Sequence, residues 1–241
     1  MERIIWQTHE WEYSDLPQNF LATSLTWKNI NPEWEYRYVS AADRALYIKN
    51  FDTELYKIYS LLCPPVTQAD IWRYVCLYKN GGVYADMDSI CSMPLEYLLE
   101  KEYKGEEVMA TERDSNGYIN NANFMAVKNS KILSSLIEII RDTYRNTDYY
   151  PFFNEATSKE HFWELLKIKL GTSPAEYTQA LDLYPDFVNL NFKAAMHGEM
   201  FKTSFDMDYL VNYYGTDTYY SELAKSNNWT THVPSFEKLS K

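Results

Sequence analysis

The segment from Thr67 to Asp88, "TQADIWRYVCLYKNGGVYADMD", constrains the fold more tightly than any other stretch of the chain. Its spacing predicts a helix over about Thr67 to Asn80, which the pair Gly81-Gly82 closes in the left-handed conformation favoured at helix ends. The apolar run Val83-Tyr84-Ala85 follows at once and reads as a strand, with Asp86 at its carboxyl end. In open α/β sheets ligands bind outside that end. Strand side chains alternate sides, so Asp86 and Asp88, two residues apart, share one, and a turn just after Ala85 is expected to carry both clear of the sheet. Two such carboxylates offer hard oxygens with room for water, a set suited to Mn2+ or Mg2+ carrying a diphosphate and poorly suited to structural zinc. The plain alternative is a solvated turn, because Asp serves turns freely.

The triplet recurs as Asp206-Met207-Asp208, without a glycine pair or a preceding helix of this kind. That copy is expected to cap or solvate a turn, or at most to supply a supporting ligand. Asp70 and Arg73 precede the first copy at i and i+3 and share a helix face. Arg suits bidentate contact with phosphate or paired hydroxyls, and the alternative is a helix salt bridge worth under about 1 kcal/mol.

Upstream the chain alternates short strands and helices. Ile4-Ile5-Trp6 and Trp34 to Val39 read as strands, and Phe20, Leu21, Ser24, Leu25 and Lys28 lie at helical spacing between them until Asn31-Pro32. Ser40 with Asp43 resembles a capping pair, and Asp52 an N-cap for a helix that Pro64-Pro65 ends. Glu107 to Thr111 and Asn123 to Val127 read as further strands, and Ser130 to Tyr144 as an amphipathic helix with Ile132, Leu133, Leu136, Ile137, Ile140 and Tyr144 on one face. A helix over Glu160 to Leu170 and strand-like pieces at Phe187 to Leu190 and Tyr209 to Tyr214 are expected beyond it. No low-complexity linker or repeat divides the 241 residues, which predicts a single domain of α/β class.

A formal net charge of -11 argues against nucleic acid or an anionic membrane as the main partner, so an anionic ligand needs a local cation. Aromatic residues make up 17% of the chain, enough for both core and stacking platforms. Cys63, Cys76 and Cys91 lack metal-ligand spacing and are expected to be free thiols in a reducing compartment. No apolar stretch reaches the roughly 18 residues of a membrane span, and the start has no signal-like core. A soluble, cytoplasmic chain is expected; the sequon at Asn228-Trp229-Thr230 would matter only in a secreted protein.

The stretch "QADIWRYVCLYKNGGVYADMD" resembles the donor-site signature of the Asp-x-Asp sugar transferases of glycosyltransferase family thirty-two, whose core the glucosylating bacterial toxins share. "RIIWQTHEW" is similar to the family's opening strand, "SLTWKNINPEWEYRYVSAAD" to the segment leading into its second strand, and "INNANFMAVKNS" to its Asn-containing strand. The likeness covers Arg3 to about Val127 and fades beyond residue 130. It implies a GT-A type single domain, a Rossmann-like mixed sheet flanked by helices. A nucleotide-sugar-binding half would span 1–130, and a more helical acceptor half 131–241.

The resemblance further implies that Asp86 and Asp88 engage a divalent cation and the donor's diphosphate or ribose. Asp70 and Arg73 would hold the donor sugar, Tyr84 would line the same pocket, and Ile5 to His9, Trp6 included, would face the nucleoside base. Where the family usually has a base-stacking Trp, this chain has His9, and Trp6 is equally read as core. The family's carboxyl-terminal His-His-aromatic segment matches "LVNYYGTD" loosely, with Asn212 and Tyr213 in place of histidines. Asn212, His197 and Asp208 are candidate third ligands. The implied activity is metal-dependent, retaining transfer of a hexosyl unit from a UDP- or GDP-sugar to a glycan or other hydroxyl acceptor.

Two rivals share these residues. A haloacid-dehalogenase-type phosphatase would use Asp86 as nucleophile and Asp88 as general acid. It would open near its amino terminus with this strand, whereas about 80 residues precede it here, and "YYGTDT" lacks its later second Asp. A sugar- or nucleotide-binding protein with degenerate catalysis is the other.

Overall fold

The computed structural model describes residues 1–61, 65–146, 174–192 and 195–196. Six strands form one mixed sheet in the order β2-β1-β3-β6-β5-β7: β1 is Ile4–Thr8, β2 Glu35–Val39, β3 Gly82–Ala85, β5 Val108–Ala110, β6 Asn123–Ala126 and β7 Val188–Asn189. β1 runs parallel to both β2 and β3, and β7 parallel to β5, while β6 is antiparallel to β3 and β5. β4 (Ile90–Cys91) and β8 (Ala195–Met196) pair separately as an antiparallel ribbon. The expected α/β mixed sheet with flanking helices is present.

The chain leaves β1 through α1 (Gln18–Ile30) to reach β2 on one side. It returns through α2 (Ala41–Phe51), α3 (Thr53–Leu61) and α4 (Pro65–Asn80) to β3 on β1's other side. The two connections cover opposite faces of the sheet. Trp27 of α1 packs with Ile5, Val83, Leu95 and Met125, whereas Ile48, Leu55, Ile58 and Trp72 pack with Trp6, Tyr84 and Phe124. Such a reversal of strand order opens a crevice at the carboxyl ends of the parallel strands. Residue 9 and residue 86 lie at those ends of β1 and β3.

Local signals behave as their chemistry dictates. Ser40 Oγ accepts from the Asp43 amide at 3.4 Å, and Asp52 Oδ1 from the Leu55 amide at 2.7 Å, so both N-caps form. α4 stops at Gly81 and Gly82, whose φ values are +72° and +103°. A Cβ on Gly82 would run into the Ile4 carbonyl oxygen, so only glycine lets β3 start flush against β1. In α6 (Lys131–Asn146) the five residues from Ile132 to Ile140 on the expected face are at most 3% exposed, and Tyr144 packs against the same core.

Some expectations need correcting. On α1 the inward face is Phe20, Thr23, Ser24 and Trp27, with Thr26 beside it; Leu25 is 45% exposed, and Lys28 is exposed with its ammonium over the Tyr13 and Tyr36 rings. Thr23, Thr26 and Trp27 replace Leu21, Leu25 and Lys28 on that face because their hydroxyls and indole N–H have backbone partners there. Sequence patterning also passed over α5 (Leu95–Glu102), α7 (Pro174–Asp182), β4 and β8. α5 and α7 are eight and nine residues long, too short for a clear periodic signal, and the two strands are two residues each. The piece expected at Phe187 to Leu190 is a 3-10 turn, Pro185–Phe187, followed by β7. The helix over 160–170, the strand over 209–214, Cys63, and the candidates His197, Asp206, Asp208, Asn212 and Tyr213 lie outside the described residues. Cys76 and Cys91 are free and buried. Among the described residues no helix is long and apolar enough to cross a membrane.

Candidate active site

β3 ends at Ala85, and the Ser89 amide donates to the Asp86 carbonyl at 3.0 Å, closing a β-turn over Asp86–Ser89. This is the turn expected just after Ala85. Met87 is 3% exposed and packs with Leu16 and Phe20, while Asp86 and Asp88 on either side stay half-buried. Within the turn the apolar residue is sunk and both acids are lifted. Antiparallel pairing with β6 extends the anchorage, since the Asp86 amide donates to the Ala122 carbonyl at 2.9 Å.

Arg73 lies beneath this turn, 3% exposed. Its guanidinium meets Asp70 at 3.2 Å and Asp86 at 3.3 Å, donates to the Asn121 carbonyl at 2.7 Å, and sits 4.4 Å from the centre of the Tyr84 ring. A buried charge is tolerated only with such partners. Burial opposes the cation, but the carboxylates of Asp86 and Asp70, with Tyr84, outweigh it and raise the Arg73 pKa further. The Tyr84 hydroxyl donates to Asp86 Oδ1 at 2.5 Å, and burial first, then the Asp86 charge, holds that phenol well above its ordinary pKa. Asn121 closes the group from β6's side, its amide donating to Asp70 Oδ1 at 3.2 Å and to the Tyr74 hydroxyl at 2.5 Å. Asp70, Arg73, Tyr84 and Asp86 thus form one connected cluster.

His9, in the loop after β1, lies between Trp11 and Phe20 at centroid distances of 4.6 and 4.8 Å. Burial, then the Arg44 cation, pushes its pKa down to about 4, with Asp88 acting in the opposite sense. His9 is thereby a neutral aromatic surface next to Asp88. Ile5 and Trp6, grouped with it in the sequence, are 0% and 4% exposed. Ile5 packs on the α1 face, and Trp6 on the opposite face with its indole N–H on the Gly81 carbonyl at 3.1 Å. What they can present to a ligand is backbone.

Residues 17–105 match the family described as "Glycosyltransferase sugar-binding region containing DXD motif". Residues 17–105 are thus similar to a DXD glycosyltransferase region. Its DXD turn is Asp86-Met87-Asp88, and the matched stretch runs from α1 to just past α5. Over 124 residues the chain is 28% identical to the initiation-specific alpha-1,6-mannosyltransferase of Candida albicans, covering 46% of this chain and 32% of that one. Over 105 residues it is 30% identical to inositol phosphoceramide mannosyltransferase 3 of Schizosaccharomyces pombe, covering 40% and 27%. The chain thus spans about a third or less of the length of these curated relatives.

Solved structures carry the fold comparison. The PaToxG glycosyltransferase superposes with a TM-score of 0.53 at 14% identity, over 76% of this chain and 70% of that one. The UDP-bound glycosyltransferase domain of the YGT toxin also gives 0.53, at 10% identity, over 97% and 92%. The architecture of the chain is therefore the GT-A fold.

Two structural roles beside the site are not legible in the sequence: that of Gln7, there grouped only with the base-facing stretch Ile5 to His9, and that of Arg44. Gln7 is 0% exposed; its amide donates to the Asp86 carbonyl at 3.0 Å and accepts from the Tyr36 hydroxyl at 2.8 Å. A polar residue inside the apolar strand "IIWQT" was the available signal. Arg44 of α2 is also 0% exposed and grips the loop that carries His9, donating to Thr8 Oγ1 at 2.6 Å, to the His9 carbonyl at 3.1 Å and to Glu10. Nothing in the sequence singles it out among the other arginines, because its partners are carried by another element.

Proposed function

We propose that the chain is a metal-dependent, retaining hexosyltransferase acting from a UDP- or GDP-sugar on a glycan or other hydroxyl acceptor. The observation that carries this reading is the Asp86–Ser89 turn, which lifts two carboxylates at the carboxyl end of a central strand. The donor set fits Mn2+ or Mg2+. Both acids are half-buried hard-oxygen ligands, and among the described residues no cluster of three or more His, Cys, Asp or Glu is placed to hold a metal. Two carboxylates completed by diphosphate oxygens and water match the habit of such ions. Bound there, the cation would act as a Lewis acid where negative charge develops on the departing diphosphate.

The chain's own residues divide the remaining work. Asp86 shares its charge with Arg73 and Tyr84, and Asp88 supplies the second carboxylate to the cation. Arg73, being buried, acts chiefly by orienting Asp70 and Asp86 toward the donor's hydroxyls. Tyr84 fixes Asp86 from the strand side. The backbone at the end of β1, with His9 and its neighbour Trp11, forms the wall for the nucleoside base. On this reading residues 1–130 are the donor half and 131–241 the acceptor half of one domain.

The test is Asp88→Asn, nearly isosteric and one charge less. Thermal shift with Mn2+ and a panel of UDP- and GDP-sugars should show stabilisation of the wild type, about 2.7 kcal/mol at a ligand concentration of 100 dissociation constants. Asp88→Asn should lose that shift and keep its unliganded unfolding transition, while Asp208→Asn should stay within a few-fold of wild type in donor affinity. An equal loss at Asp208 would move the cation site to the second triplet. Donor binding without hydrolysis or transfer would make the protein a sugar-nucleotide binder.

A further inference from the structure

The backbone of the DXD turn is held from inside by side chains that the donor-site signature does not contain. The Asp86 carbonyl accepts from Gln7 Nε2 at 3.0 Å, the Met87 carbonyl from Thr23 Oγ1, and the Ser89 carbonyl from Trp27 Nε1 at 2.8 Å. Two residues on, the Cys91 amide donates to Thr26 Oγ1 at 3.0 Å. Gln7, Thr23 and Trp27 are all 0% exposed, and Thr26 is 5% exposed. Three of these four sit on one face of α1, which packs along the turn as a ruler of hydrogen-bonding groups.

Burying polar groups in a helix-to-sheet contact costs free energy unless they are paired, and apolar residues would fill the same space without that demand. Neither threonine needs the turn for its own satisfaction. Thr23 Oγ1 also contacts the Phe20 carbonyl of its own helix at 2.9 Å, and Thr26 Oγ1 donates to the Thr23 carbonyl at 2.6 Å. The beneficiary is the turn, whose carbonyl oxygens are drawn inward and fixed in direction. The oxygens it offers at the surface are then those of Asp86 and Asp88. Gln7 is itself anchored by the Tyr36 hydroxyl, so its amide orientation is set on both sides.

We propose that Gln7, Thr23 and Trp27 are positioning residues for the cation site, a rigid inner clamp that pre-orients the Asp86 and Asp88 carboxylates. The proposal rests on the cation reading above. Groups that orient metal ligands from outside the coordination shell commonly change metal affinity when removed, and the clamp acts one bond further in, through the peptide planes.

The probe is Mn2+ alone, followed by loss of the free-ion electron paramagnetic resonance signal as protein is added, with thermal unfolding measured on the same samples. Thr23→Val keeps the β-branched shape and removes the hydroxyl; it should weaken Mn2+ binding by about 10- to 100-fold. Thr23→Ser, which restores the hydroxyl, should recover wild-type binding even if it unfolds at a lower temperature, a separation that a merely structural role would not produce. Trp27→Phe keeps the ring and loses the N–H, and should behave like Thr23→Val; it carries the test if the valine variant does not fold. Wild-type Mn2+ affinity in either variant overturns the clamp. Asp88→Asn is the control that separates the two ideas. If it loses Mn2+ while Thr23→Val keeps it, the cation reading stands and the clamp alone falls; if Asp88→Asn binds like wild type, both fall.

Discussion

His9 shows how one side chain's surroundings set its chemistry. Packed between Trp11 and Phe20 and facing the Arg44 cation, the imidazole has its pKa pushed from 6.5 down to about 4, with burial the larger cause. A His kept neutral in the fold binds its proton more readily when unfolded, so stability rises with pH between about 4 and 6.5 and is lost as pH falls through that window. Carboxylates also contribute to acid unfolding, and a variant isolates the His9 part. His9→Phe retains the aromatic stack and cannot titrate. Urea unfolding at pH 4.5 and 7.5 should show the wild type gaining more stability than the variant, by on the order of 2 kcal/mol. Equal gains would mean that the imidazole ionises within the fold as freely as outside it. A neutral His9 also keeps a second cation away from the place where the proposed metal meets Asp88.

At the scale of the element, β3 depends on its first residue. Gly82 has φ of +103°, and a Cβ there would meet the backbone carbonyl of Ile4 on β1. Gly82→Ala should therefore cost about 3 kcal/mol, from positive φ and forced strand separation together. Chemical denaturation measures it directly, and a loss below about 1 kcal/mol would show that the β1–β3 register tolerates a side chain. The glycine pair, the helix before it and the strand after it were all legible in the sequence, because each is fixed by local chemistry. The α1 face was not. Phe20, Thr23, Ser24 and Trp27 point inward, and the hydroxyls earn that placement from the Met87 and Tyr13 neighbourhoods, which lie far along the chain or across a turn. Arg44, and the hold of Gln7 on the Asp86 carbonyl, were not legible for the same reason: their role exists only once β1, β2 and β3 stand side by side. Asp70 and Arg73 were readable as sharing a helix face, but not that Arg73 would be sunk beneath Asp86 and covered by Tyr84.

For the whole molecule, the question is whether the glycosyltransferase-matched stretch is itself a folding unit. Residues 17–105 contain β2 and β3 of the large sheet, yet the order β2-β1-β3-β6 puts β1 between them and β6 on the far side of β3. Removing β1 takes away Ile5 and Trp6 from both core layers, and with them the partner that every described β2 ladder residue pairs with. Removing β6 unpairs β3 along its full length, including the Ala122 contact that fixes the Asp86 amide. The helices fare no better, since α4 packs against α6, which begins at Lys131. Two strands that do not pair with each other cannot organise a sheet. An excised 17–105 fragment should therefore show no cooperative unfolding transition and no Mn2+-dependent stabilisation, whereas the full chain shows both. Cooperative melting of the fragment would mean that α1, α4 and the DXD turn hold together without the central strand, and would move the seat of the site's rigidity from the sheet to the helices.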